Sequence, residues 1–124
     1  MRLLLDSHIV LWWDSEVNKL SDDQREAISD SANQVFVSAA TVWELGIKRS
    51  SGRVILGESI RLLARRLGFV ELPITMEHSE LAASLPLHHK DPFDRMLVAQ
   101  AIVEGLTLVT ADDVLRGYGV ACLS

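Results

Sequence analysis

An α/β fold with a mostly parallel central sheet flanked by helices is predicted for this chain by two observations. Short runs rich in Leu, Val and Phe alternate with stretches of helical periodicity, and the junctions are brief and marked by capping or breaking residues. Strands joined through intervening helices pair in parallel.

Residues 2–5, RLLL, form the first strand, and Asp6-Ser7 supplies a cap for the helix HIVLWW. Ser21 and Asp22 open a surface helix over residues 21–31. QVFVS, residues 34–38, has the β-branched and aromatic character of a second, buried strand, and AATVWELGIKRS returns to helical periodicity, closed near Gly52. An amphipathic helix follows from about Glu58 to Leu67, ended by Gly68. FVEL is a short strand stopped by Pro73, and residues 74–85 read as a helix stopped by Pro86. HHKD forms a loop. Asp91-Pro92 is an N-cap followed by proline at the first helical position, opening the strongest helix of the chain, which Gly105 ends. LTLVT is a buried strand, ADDVLRG a short helix or turn, and YGVACL a last strand.

With 124 residues, 48% hydrophobic and 23% charged, the chain has the size and composition of one globular domain and no disordered tract. No apolar stretch reaches the roughly 18 residues of a membrane span, and Asp6 and His8 interrupt the leucines of the opening before they make a signal peptide, so a cytoplasmic location is expected. The single Cys122 cannot form an internal disulfide and reads as a packed thiol. A net charge of −5 excludes a protein that wraps nucleic acid with its whole surface. Any such contact is local, through Lys48, Arg49 and Arg53 or through Arg61, Arg65 and Arg66.

Asp6, Glu44, Asp94 and Asp112 stand where a strand hands over to a helix, or just inside a helix. In a parallel sheet the carboxyl ends of the strands share one edge, and ligands bind where strand order reverses. Carboxylates gathered there repel and take up protons unless a cation neutralises them. An all-oxygen acidic cluster suits Mg²⁺ or Mn²⁺ and the phosphate chemistry those ions support. Each acid also has a structural role open to it. Asp6 can cap the first helix, Glu44 can complete a capping box with Thr41, Asp94 follows the cap Asp91 by three residues, and Asp112 can cap a turn with Asp113. Against this, Asp94 lies one turn before Val98 on the stripe continued by Ala101 and Ile102, which aims it at the sheet edge, and all four acids map to the same end of the sheet.

LLLDSH, VSAATVWELGIK, HHKDPFDRMLVAQA and LTLVTADD, in that order, resemble the signature blocks of PIN-domain proteins, in particular the VapC-type toxins of bacterial toxin-antitoxin operons. The resemblance spans nearly the whole chain, and DPFDRMLVAQA is its most specific block. It implies one PIN-like, three-layer domain over residues 1–124. Asp6, Glu44 and Asp94 match the first three catalytic, metal-binding acids of the family, and Asp112 best matches the fourth, with Asp113 its neighbour. Ser7 and Thr110 match the hydroxyl residues beside the first acid and in the last block. The implied activity is a Mg²⁺- or Mn²⁺-dependent endoribonuclease that cleaves RNA and blocks translation, restrained by a co-expressed antitoxin and commonly a homodimer.

Among other residues, Arg95 follows Asp94 and is a candidate for a phosphate or ion-pair role. His88, His89 and Lys90 precede that helix and are candidates for contact with substrate phosphate or an antitoxin, or a solvated loop. No histidine pair has the spacing of a transition-metal site. Adjacent Trp12 and Trp13 cannot both face one core, so one of them is a candidate surface for a second copy or an antitoxin. Two rival classes remain. A phosphoacceptor signalling domain needs a lysine at the end of the last strand, and YGVACL has none. A binding module with a purely structural metal site would bind the ion without cleaving RNA.

Overall fold

A computed structural model describes all 124 residues. The strands are β1 (Arg2–Leu5), β2 (Gln34–Ser38), β3 (Val70–Leu72), β4 (Thr107–Val109) and β5 (Cys122–Leu123). The helices are α1 (Ser7–Ser15), α2 (Asp22–Ser29), α3 (Ala39–Ser50), α4 (Ile60–Leu67), α5 (Met76–Ser84) and α6 (Pro92–Glu104). All neighbouring strands pair in parallel in the order β3-β2-β1-β4-β5. The chain thus builds outward from β1 on one side, then crosses back to build on the other, and strand order reverses between β1 and β4.

Alternation along the strands sorts the core into two layers. Leu3, Leu5, Val35, Val37 and Val109 pack on one side of the sheet with Ile9, Ile28, Leu45 and Leu63 from the helices. Leu4, Phe36 and Leu108 face the other side, against Leu97, Val98 and Ala101 of α6 and Leu115. A sheet covered on both faces is the three-layer arrangement expected. No helix is long and apolar enough to cross a membrane.

Several boundaries differ from expectation for local reasons. Residues 113–118 form a 3₁₀ turn ended by Gly119 in the left-handed conformation, so the last strand shrinks to two residues. Helix α5 starts at Met76 because Thr75 caps it, with His78 closing the capping box through its ring nitrogen at 3.0 Å. Ile102 is 43% exposed, and Leu97 joins Val98 and Ala101 on the buried stripe in its place. Eight residues beyond Asp94, Ile102 is rotated about 80° away from it, past the edge of that stripe. Trp12 and Trp13 both rest half-buried against the first core layer, so neither is the exposed tryptophan predicted. That place belongs to Trp43, which is 65% exposed.

Candidate functional site

Asp6 follows β1 directly and extends the ladder by one bond, its N–H donating to the carbonyl of Val109 at 3.1 Å. Its carboxylate therefore stands at the reversal of strand order. Oδ1 accepts from the N–H of Ile9 at 3.0 Å, which makes Asp6 the cap of α1, and Oδ2 accepts from the Thr110 hydroxyl. The same Thr110 oxygen accepts from the N–H of Asp112 at 3.0 Å. Burial pushes the Asp6 pKa above its usual range, against the hydrogen bonds from Thr110 and Ile9.

Glu44 reaches the same end of the sheet from the second turn of α3. Strand β2 runs into α3 without a loop, so the last strand residue, Ser38, becomes the cap and accepts from Ala40 at 3.0 Å. The capping box of Thr41 with Glu44 is not formed. Thr41 is buried inside the helix with its hydroxyl unpartnered, and Glu44 is buried with the Ser7 hydroxyl on Oε1 and Lys48 Nζ on Oε2 at 2.8 Å.

Asp94 is the third residue of α6. Asp91 caps this helix through Phe93 at 2.8 Å and Asp94 at 3.5 Å, but the N–H of Asp91 is taken by His89 Nδ1 at 3.1 Å, so Asp94 makes no capping bond in return. Its one protein partner is His89 Nε2, 3.3 Å from Oδ2. Burial raises its pKa to about 7, aided by the charges of Asp91, Asp6 and Glu44 and opposed by His89. Asp112 caps the 3₁₀ turn through Val114 at 3.0 Å, and its other oxygen lies 3.0 Å from the same His89 Nε2. The ligand atoms of His89, Asp94 and Asp112 all lie within 4.8 Å of one another. Asp6 and Glu44 adjoin them closely enough for their charges to act on Asp94. Asp113 points away, its side chain 90% exposed and 3.7 Å from Arg116.

Arg95 is not at this pocket. Its guanidinium donates to the carbonyls of Ala82 and Leu85 at 2.9 Å and of Pro86 at 3.1 Å, closing the end of α5. One step along a helix turns a side chain by about 100°, which separates Arg95 from its neighbour Asp94. Two residues enter the site that sequence reasoning did not place there. Lys48 carried a signal, four residues after Glu44 on one helix face. His89 was a candidate only for contact with substrate or an antitoxin, and nothing in the sequence paired it with Asp112, 23 residues away.

The donor set fits a hard divalent cation. The oxygens gathered here belong to carboxylates, two of them on buried residues, and Asp94 has a single polar contact for a charge that its surroundings oppose.

Comparison with known proteins shows the family and the fold. The family model described as PIN domain matches residues 3–120. Ribonuclease VapC22 of Mycobacterium tuberculosis is 33% identical over 119 residues, covering 94% of this chain and 91% of that protein. The crystal structure of VapBC2 from Rickettsia felis, bound to a DNA fragment from their promoter, superposes with a TM-score of 0.71 at 17% identity, covering 99% of this chain and 98% of that one. A toxin-antitoxin complex from Klebsiella pneumoniae gives a TM-score of 0.67 at 16% identity, covering 98% and 96% respectively.

Proposed function

The chain belongs to the PIN-domain family, and from that premise we propose that it is a metal-dependent endoribonuclease acting as the toxin of a toxin-antitoxin pair. One observation carries the activity: Asp94 lies at the edge where strand order reverses, beside Asp6, Glu44 and Asp112, in surroundings that oppose its charge. A cation relieves that opposition, and a phosphodiester is the substrate such a site suits.

Asp6, Glu44, Asp94 and Asp112 would hold Mg²⁺ or Mn²⁺. When bound, the ion would supply neutralisation of the phosphate charge and activation of the attacking water. The protein's own groups set the stage. Thr110 and Ile9 hold the two oxygens of Asp6, and Ser7 and Lys48 hold those of Glu44, so both carboxylates are fixed in orientation before an ion binds. Asp94 Oδ1, which has no protein partner, would be the oxygen free to accept a proton from an attacking water. Lys48, part-exposed beside Glu44, is placed to meet a phosphate oxygen, and Arg49 and Arg53 extend a local basic edge on an otherwise acidic chain.

The toxin reading also calls for an antitoxin protein. Supporting it is an apolar cleft of about 480 Å³ lined by Val42, Trp43, Ala64 and Phe69, with Arg61 and Arg65 at its margin. Homodimerisation is expected on the same family grounds.

The test is cleavage of RNA by purified protein with Mg²⁺ or Mn²⁺, alongside Asp6→Asn and Asp94→Asn. Expected is cleavage that both substitutions and excess EDTA abolish, and growth arrest on expression without the antitoxin that Asp6→Asn relieves. Full activity in EDTA, or undiminished cleavage by both variants, overturns the assignment. Metal binding without cleavage favours a binding module instead.

A further inference from the structure

We infer that His89 is an intramolecular stand-in for the cation: its Nε2–H occupies the gap between Asp94 and Asp112, and a divalent ion enters that gap by displacing the ring. This rests on the metal-site assignment above and goes beyond it.

The hydrogen bonds fix the tautomer. Nδ1 accepts the N–H of Asp91 at 3.1 Å, so it carries no hydrogen, and the hydrogen sits on Nε2. That N–H donates to Asp112 Oδ2, 3.0 Å away, and Asp94 Oδ2 lies 3.3 Å from the same nitrogen. The backbone is held as well, since the N–H of His89 donates to the Tyr118 hydroxyl at 3.0 Å. The ring is thus aimed into the gap.

The oxygens it reaches have no other protein donor. Asp6 is served by Ile9 and Thr110, and Glu44 by Ser7 and Lys48, whereas the facing oxygens of Asp94 and Asp112 have only this one nitrogen beside them, bonded to Asp112 and in contact with Asp94. Without it, two carboxylates would face each other with nothing between them.

A ligand role for Nε2 conflicts with the same geometry. To coordinate through Nε2 the ring must carry its hydrogen on Nδ1, where it would confront the Asp91 N–H, two donors head to head. An ion seated between those two oxygens, at roughly 2.1 Å from each, takes the position that the Nε2–H now holds, so the ring must swing aside to admit it. The His89 side chain is 22% exposed and belongs to the loop between α5 and α6, so it has a path to solvent.

The experiment is calorimetric titration of the full chain with Mn²⁺, comparing the original protein with His89→Ala, together with metal-free thermal melts. Expected is tighter Mn²⁺ binding by His89→Ala, by about five- to tenfold from removal of one competing hydrogen-bonded group, and a lower metal-free melting temperature. Weaker binding by the variant would make His89 a ligand, and equal binding would make it a bystander; either overturns the inference while leaving the metal site standing. Absence of Mn²⁺ binding by the unsubstituted protein overturns the metal assignment itself, and this inference with it. Should His89→Ala not fold, ¹⁵N spectra of the unsubstituted protein decide: saturating Mg²⁺ is expected to release the Nε2–H from its carboxylate partners, and an unmoved signal overturns the idea.

Discussion

The Thr110 hydroxyl donates to Oδ2 of Asp6 across the reversal of strand order, while its oxygen accepts from the N–H of Asp112. A single side chain at the end of β4 therefore orients the acid that follows β1 and the backbone of the acid beyond β4. Thr110→Val keeps the shape and removes the donor, leaving a buried Asp6 oxygen without its partner. Destabilisation of roughly 1–3 kcal/mol is expected by urea unfolding. Cleavage is expected to fall by about 10- to 100-fold, as when a group that orients a metal ligand is lost. An unchanged unfolding midpoint would show that this bond carries neither burden.

Metal-free stability should decline as pH rises from about 4 towards 7. Asp94 has its pKa raised from the ordinary 3.8 to about 7, and that of Asp6 is raised too, so in this window the folded chain holds protons that the unfolded chain has released. Folding is favoured at the acidic end and loses that support as the pH passes through the raised values. Denaturation in EDTA at about pH 5 and about pH 8 measures it, with the higher midpoint expected at the lower pH. Mn²⁺ should restore much of the difference at the higher pH. A midpoint that climbs with pH in EDTA would contradict the assignment of these two acids as charge-opposed.

Asp94→Asn should separate stability from function. The amide keeps the shape and removes the charge that burial and Asp91 oppose, so at about pH 8 in EDTA the variant is expected to unfold at higher urea concentration than the parent. Mn²⁺ binding and cleavage are expected to be lost. Strain of this kind at a site, relieved by a substitution that kills activity, is a common trade-off. A variant less stable than its parent under these conditions would place the opposed charge elsewhere.

The layers of this fold were legible because patterning and capping agree. Leu3, Leu4 and Leu5 alternate between the two cores, and Asp91-Pro92 and Gly105 mark both ends of α6. Asp6 was legible as a cap at a strand end, and it is that cap, standing where strand order reverses. Glu44 was legible as an acid, but the Thr41 box was not formed, because nothing in local propensity says that β2 enters α3 with no intervening loop. His89 was legible as a candidate contact residue, but its pairing with Asp112 was not, because a tertiary contact across 23 residues leaves no periodic trace. Arg95 misled because adjacency in sequence is not adjacency on a helix.

Arg95 supplies the last test, since sequence and structure assign it opposite work. In the fold its guanidinium closes the C-terminal end of α5 through the carbonyls of Ala82, Leu85 and Pro86, where backbone acceptors lack helical partners and favour a cation. Arg95→Ala leaves those carbonyls to water and loosens the packing of α5 on α6, for a loss of roughly 1–2 kcal/mol by urea unfolding. Arg95→Lys should recover only part of it, because a point charge cannot fork to several oxygens at once. Cleavage by the folded Arg95→Ala protein, assayed at a temperature where it remains native, should stay within about threefold of the parent, below the tenfold that 1.4 kcal/mol of lost transition-state binding would produce. A rise beyond tenfold in KM alone, with folding intact, would instead return Arg95 to the phosphate and make its hold on α5 incidental.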